Sequence, residues 1–328
     1  MSERESTFDT PYCLGFDGGG TKTECVLADG SGQIVGRSIA GPSNPLRAGF
    51  PRACLSLREA ADAVLDRQKI TPDDIRGICA GIAGAARTSV AHELTAFLQE
   101  SFPRAEIEVT TDVEIAFGAA FDSGPGIILI AGTGSGALGR DSAGRRERAG
   151  GKGPWFSDEG SAFDIGRRAV QAVLLADENR GPATALSTRL FQHLQVADWD
   201  GVLDQVSKSP DAAFPRVFPL VAELAESGDV VSREILSTAA TALAALVGSV
   251  AKRLGWLGAN ASMSGTHTEI PVARVGGMHG QSKFLDDAID AELTRAVAGW
   301  KHVEVSMTPA EAAARMAVRT KRNAAPIR

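Results

Sequence analysis

The stretch Asp17-Gly18-Gly19-Gly20-Thr21-Lys22-Thr23 lies between two short apolar runs, residues 12–16 and 25–28. Such runs on either side of a glycine-rich turn read as a β-hairpin. Consecutive glycines permit positive φ and let a ligand come close to backbone N–H groups. An acid at the end of the first strand suits a metal-bound polyphosphate, with Asp17 facing the metal and Thr21, Lys22 and the backbone facing phosphoryl oxygens. Taken alone, the same turn also serves as an ordinary hairpin. The P-loop pattern is not met, because Lys22 follows Thr21 rather than glycine. A strand also follows where both the P-loop and the dinucleotide fingerprint need a helix. Phosphate held here would be held by a hairpin.

Length and charge narrow the classes. A chain of 328 residues accommodates two domains of ordinary size, and 44% hydrophobic with 23% charged residues describes a globular protein. A net charge of -6 offers neither the broad basic footprint of a nucleic-acid binder nor an attraction to anionic membranes. Residues 1–10 are polar and carry no secretory core, and the apolar stretch 239–250 is too short and alanine-rich to span a bilayer. Cys13, Cys25, Cys54 and Cys79 form no CxxC or Cys/His cluster, which fits buried free thiols and a reducing, cytoplasmic setting. Five histidines and no HExxH give zinc little support.

The elements follow in a recognisable order. Behind the opening hairpin, residues 32–39 read as a third strand of an antiparallel meander. Apolar spacing predicts helices over 52–68 and 89–102, with a buried-type strand over 75–82 between them. A strand at 107–109 runs into Thr110-Thr111-Asp112 and a helix over 113–121. The order βββαβαβα matches one ribonuclease H-like unit over residues 1–122. A second unit begins with the apolar strand 127–131, as expected when both sheet faces are buried. That strand ends at Gly132-Thr133-Gly134-Ser135-Gly136, a second glycine-rich hairpin. Residues 141–148 read as a polar turn, and 162–254 as mostly helical. A strand at 271–275, the Gly276-Gly277 turn, a helix over 281–297 and a strand at 302–305 follow. A last helix, 309–320, starts behind the cap-like Thr308, and the tail from Lys321 is expected to fray. The paired hairpins hint at an ancient duplication.

Two glycine-rich hairpins, an acid after a strand between them, and a late Gly-Gly turn form an ensemble along nearly the whole chain. It resembles the N-acetylglucosamine kinase and BadF/BadG-type ATPase family, within the actin, sugar-kinase and Hsp70 ATPase superfamily. The resemblance implies an α/β fold of two ribonuclease H-like, actin-like domains. Each would be a mixed five-stranded sheet flanked by helices, with an interdomain cleft. The N-terminal domain would span 1–122, joined by the helix 309–322, and the C-terminal one 123–308 with a helical insertion.

The family also implies roles. Gly18, Gly19, Gly20, Thr21 and Lys22 would form the first ATP phosphate site, and Gly132, Thr133, Gly134 and Ser135 the second. Asp17 would hold Mg2+ through water, and Gly276, Gly277 and Gln281 would receive adenosine. Asp112 would be the general base and a sugar ligand; on its residues alone it reads first as the N-cap of the following helix, and the resemblance favours the base. Asn44, Gly151, Lys152, Asp158 and Glu159 would complete the sugar site. Asn44 also reads as a turn-former between prolines, and Asp158 and Glu159 as acids at a helix start. Members that take N-acetylglucosamine often read Gly-Gly-Trp-Gly where this chain has Gly150-Gly151-Lys152-Gly153, with Trp155 beyond. That departure leaves room for another amino sugar, a hexose or an acidic substrate.

The activity implied is ATP-dependent phosphorylation of N-acetylglucosamine or glucosamine at the 6-hydroxyl, by a cytoplasmic homodimer whose partner is a small sugar. Two other classes are an ATPase that activates a dehydratase or reductase, and a silent sugar or nucleotide sensor. The activator branch uses cluster-binding cysteines, and none lies near Gly132-Ser135.

Overall fold

In the computed structural model, which describes residues 11–257 and 269–324, the chain divides into two compact units, Met1–Ser123 with Val305–Arg328, and Gly124–Glu304. The first is built on the strand β1 (Tyr12–Gly18). Leu14 and Phe16 point to one face and Cys13 and Gly15 to the other, so β1 is buried on both. It pairs antiparallel with β2 (Thr23–Ala28), which pairs with β3 (Ile34–Ala40). On its other side β1 runs parallel to β4 (Ile75–Ile82), followed by β5 (Glu106–Thr110), giving the order β3-β2-β1-β4-β5.

Each face of this sheet is covered by helices. The Leu14 face packs on α2 (Phe50–Gln68), through Leu57, Ala60, Ala61 and Val64, and on α3 (Thr88–Ser101), through Leu94 and Leu98. A short helix α1 (Pro45–Ala48) precedes α2. The Cys13 face receives α4 (Asp112–Phe121) and α12 (Pro309–Ala324), the segment that returns from the chain's far end. Ala310, Ala313, Ala314 and Ala317 make the contact face of α12. A Cβ on Gly15 would come within 2.1 Å of Ala314 N and 2.3 Å of the Ala310 carbonyl oxygen. Backbone therefore lies on backbone there. A capping box starts α12, with the Glu311 N–H on Thr308 Oγ1 and the Thr308 N–H on the Glu311 carboxylate.

The second unit repeats the plan. Strands β6 (Gly126–Ala131), β7 (Ser135–Arg140) and β8 (Arg146–Gly150) form an antiparallel meander. β9 (Ile270–Val275) and β10 (Trp300–Val303) extend it in parallel, in the order β10-β9-β6-β7-β8. Helices α5 (Ala162–Asp177), α6 (Leu186–Leu194), α7 (Trp199–Lys208), α8 (Pro210–Ala213) and α9 (Phe218–Glu226) form the insertion. All but α8 share one core with α10 (Val230–Arg253) and α11 (Lys283–Ala296).

Several expectations need correction. Residues 146–148, read as part of a polar turn, belong to β8. Its Arg146-Glu147-Arg148 pattern is polar because β8 is an edge strand, with Glu147 paired to Arg253. β10 lies at Trp300–Val303 rather than 302–305. α12 continues to Ala324, through the first residues of the tail expected to fray; the rest of that tail and the polar leader 1–10 lie outside the described residues. α10 has 24 residues and by length and composition alone could cross a membrane. Its place in the core, with Val231, Ile235, Leu236, Leu243 and Val247 buried, separates it from a span better than length does. The four cysteines are free and buried, and burial pushes the thiols of Cys25 and Cys79 upward.

The Gly15 contact yields a direct test. Gly15→Val should cost about 3 kcal/mol or more in urea unfolding, because neither α12 nor β1 backbone can yield to a β-branched side chain.

Candidate functional site

The first hairpin is held by the loop before α1. Gly19 closes the turn by donating its N–H to the Lys22 carbonyl at 3.0 Å, and its own carbonyl accepts from the Ser43 and Asn44 N–H groups, each at 3.0 Å. Buried Thr23 Oγ1 lies 2.7 Å from both the Gly41 carbonyl oxygen and Ser43 Oγ. A Cβ on Gly18 would come within 2.2 Å of Ser43 Oγ, so glycine is required there by space. None of Gly18, Gly19 and Gly20 has positive φ, contrary to the reason the sequence suggests for three glycines. Among the described residues, a Cβ on Gly19 would meet only the Lys22 carbonyl oxygen, at 3.8 Å, so there is space over its Cα although its N–H and carbonyl are both paired. Gly20, Thr21 and Lys22 form the exposed tip. Sequence alone does not single out Ser43; its place between two prolines is the available signal. Asn44 caps α1, its Oδ1 accepting from the Leu46 N–H at 3.0 Å, and so performs the turn-forming role.

Asp17 ends β1 beside this tip, half-buried, and Asp112 opens α4 immediately behind β5. The helix cap is Thr111, whose Oγ1 accepts the Glu114 N–H at 3.3 Å. Asp112 is therefore the first helical residue and not its N-cap. The Asp17 carboxyl is pushed up to about 6, first by burial, then by the charges of Asp112 and Glu24, with Lys22 opposing. Negative potential gathered at a hard oxygen donor is what a magnesium ion relieves. Among the described residues no group of three His, Cys, Asp or Glu side chains could hold a metal by itself. A single carboxylate such as Asp17 suits an ion that keeps waters and takes further oxygens from a phosphate.

In the second unit the hairpin joining β6 to β7 is held from beneath. Gly132 donates to the Gly134 carbonyl at 3.0 Å, while Ala162 and Phe163, at the start of α5, donate to the carbonyls of Gly132 and Thr133 at 2.9 and 3.4 Å. Asp158, at φ +67° and only 7% exposed, accepts the Ser135 N–H on Oδ1 at 3.3 Å. Its Oδ2 would lie 3.0 Å from a Cβ on Gly134. Ser135 Oγ donates to the Glu159 carbonyl at 2.7 Å, and Ser161, not an acid, caps α5. Burial raises the Asp158 carboxyl, with the Ser135 N–H opposing. Of the acids assigned to a sugar, Asp158 lies against the hairpin and Glu159 is exposed.

The Gly276-Gly277 turn stands next to this hairpin. β6 and β9 run parallel with Ile130 opposite Val275, so both turns leave the carboxyl ends of neighbouring strands. Gly276, at φ +109°, would place a Cβ 2.3 Å from the Ala131 carbonyl oxygen, which itself accepts the Met278 N–H at 3.1 Å. Only glycine fits. A Cβ on Gly277 would meet none of the described residues within 4 Å, and Gln281 is exposed. Behind the turn, sequence reasoning missed His279 and Asp286, whose Nδ1 and Oδ1 lie 3.6 Å apart, and Arg274, which bonds Asp290 at 2.9 Å. Their spacing across a loop and helix leaves no pattern to find.

The model of the BadF/BadG/BcrA/BcrD ATPase family matches residues 14–317. The chain belongs to that family. An N-acetyl-D-glucosamine kinase of Dictyostelium discoideum is 29% identical over 94% of this chain and 98% of its own length. An N-acetylmuramic acid/N-acetylglucosamine kinase of Clostridium acetobutylicum is 32% identical over 71% of this chain and 76% of its own. A glucosamine kinase of Vibrio cholerae is 30% identical over 75% and 87%. Among solved structures, a protein of Chromobacterium violaceum assigned as an N-acetylglucosamine kinase superposes with a TM-score of 0.75 at 23% identity, covering 94% of this chain and 99% of its own. A glucokinase of Streptomyces griseus, solved with glucose and AMPPNP, gives 0.55 at 15% identity over 94% and 99%. These two establish the shared sugar-kinase fold.

The raised Asp17 carboxyl has a consequence for stability. Between the ordinary carboxylate value and about 6 the native state keeps a proton that the unfolded chain releases, so ionised Asp17 weighs against the fold above about pH 6. Asp17→Asn should resist urea better than the parent by about 1–2 kcal/mol at pH 8 and gain nothing at pH 4.

Proposed function

We propose that the protein is an ATP-dependent kinase that phosphorylates an amino sugar, N-acetylglucosamine or glucosamine, at its 6-hydroxyl. Family membership, with relatives named for these kinases, supports the class. The observation that carries the mechanism is the division of labour at α4. Thr111 takes the capping task, and Asp112 sits one residue on with a carboxylate beside the Asp17 charge.

In this reading Asp112 accepts the proton of the 6-hydroxyl as that oxygen attacks the γ-phosphorus. The bond to the β–γ bridging oxygen breaks, and ADP leaves with the electron pair. Gly18–Lys22 and Gly132–Ser135 offer backbone N–H groups to the polyphosphate, and Gly276-Gly277 with Gln281 receives adenosine. Asp17 would hold magnesium through water; when bound, the ion neutralises polyphosphate charge. Asn44, Gly151, Asp158 and Glu159 are the candidates for orienting the sugar. The buried free cysteines suit a reducing cytoplasm, where ATP is at hand.

An ADP-release assay with N-acetylglucosamine, glucosamine, N-acetylmuramic acid and glucose tests the reading. Turnover should require an amino sugar, and Asp112→Asn should lower kcat by about 100- to 10,000-fold with little change in nucleotide affinity. ATP hydrolysis indifferent to sugar and to Asp112→Asn would sink it.

A further inference from the structure

Gly150, the last residue of β8, pairs with Gly136, the first glycine beyond the turn of the second hairpin. The chain therefore leaves β8 at the same end of the sheet as the hairpin tip. The contact is close: a Cβ on Gly150 would lie 3.2 Å from Gly136 Cα, and one on Gly136 would lie 3.5 Å from Gly151 N. Lys152 follows two residues after Gly150, no more than about 7 Å along the chain. Gly150, Gly151 and Gly153 all have positive φ, at +72°, +65° and +93°. A Cβ on Gly153 would meet none of the described residues within 4 Å, so glycine serves the backbone path there rather than filling a tight space. That path presents Lys152, the one residue of the four with a side chain, beside the hairpin.

The charges nearby are unevenly matched. Arg148, on β8, lies over Gly151, with Nη2 2.8 Å from where a Cβ would stand, and its charge acts on buried Asp158. Lys152 is exposed and has no hydrogen bond or ion pair with any described residue. Nor does the exposed carboxylate of Glu159, seven residues on, pair with it. An unmatched cation beside this glycine-rich hairpin favours an anion.

We propose that Lys152 contacts the γ-phosphoryl group of the nucleotide and neutralises charge on it during transfer, a role that rests on the kinase reading above and replaces the sugar contact expected of this position. The ammonium would donate to a non-bridging γ-oxygen and supply no proton to the products. Its charge offsets that spread over the three γ-oxygens during transfer.

Binding without any sugar tests this first, so that the outcome does not depend on the acceptor. In Lys152→Met, calorimetric affinity for Mg-AMPPNP should fall about 10-fold, while affinity for ADP stays within about 2-fold. Under turnover, kcat should fall about 100-fold with every accepted sugar, and Lys152→Arg should recover part of it. Equal affinity of parent and variant for AMPPNP overturns the proposal. So does a kinetic loss confined to N-acetylmuramic acid, which would assign Lys152 to the sugar's carboxylate. Discrimination between AMPPNP and ADP that persists while no sugar is phosphorylated would instead sink the acceptor assignment and leave the phosphoryl contact standing.

Discussion

The Ala310 carbonyl and the Ala314 amide press onto the Cα of Gly15, and the functional groups of the first unit depend on that seat. β1 is the strand whose end carries Asp17, and it is buried on both faces only because α12 can lie this close. The alanine face of α12 and the absent side chain at 15 are complementary requirements; either alone would leave a gap or a clash. With β1 fixed, the register to β2 sets Gly18 against Thr23, and the register to β4 sets Asp17 against Gly81. The acid and the open hairpin thus share one rigid support.

The two units use one sheet order with different means of holding the hairpin. In the first, the loop Pro42-Ser43-Asn44-Pro45 grips the turn from the side, with Ser43 filling the space over Gly18. In the second, the start of α5 and the Asp158 carboxylate support it from below. The turns differ too: the Gly19 N–H bonds the Lys22 carbonyl three residues on, and the Gly132 N–H the Gly134 carbonyl two residues on. What the two share is the arrangement of strands, an antiparallel meander extended in parallel.

Strand content was legible because buried strands write themselves as apolar runs, as β1, β4 and β6 do. β8 was not, since an edge strand carrying Arg146, Glu147 and Arg148 has the composition of a loop. The glycine hairpins were visible, but the reason for their glycines was not. Positive φ is absent from Gly18–Gly20, and the need at Gly18 is set by Ser43, twenty-five residues away. Read from sequence, the cap of this helix falls to Asp112, and only backbone position assigns it to Thr111. The role of Asp158 beneath Ser135 was hidden for the same reason. Sequence spacing says which residues are near in the chain, while the hairpin brings together residues 23 apart.

The return of α12 to the first sheet also sets an order of events during synthesis. Cys13, Val26, Ala28 and Cys79 form an apolar face whose cover comes from Ala310, Ala313, Ala314 and Ala317. On the ribosome, strands β1 to β5 emerge with only α4 to cover that face, and the whole second unit is made before α12 can close the rest. Gly124–Glu304 holds its own core and can settle early. The first-made half is thus the last to be finished, and its interval of exposure is as long as the time taken to translate its neighbour.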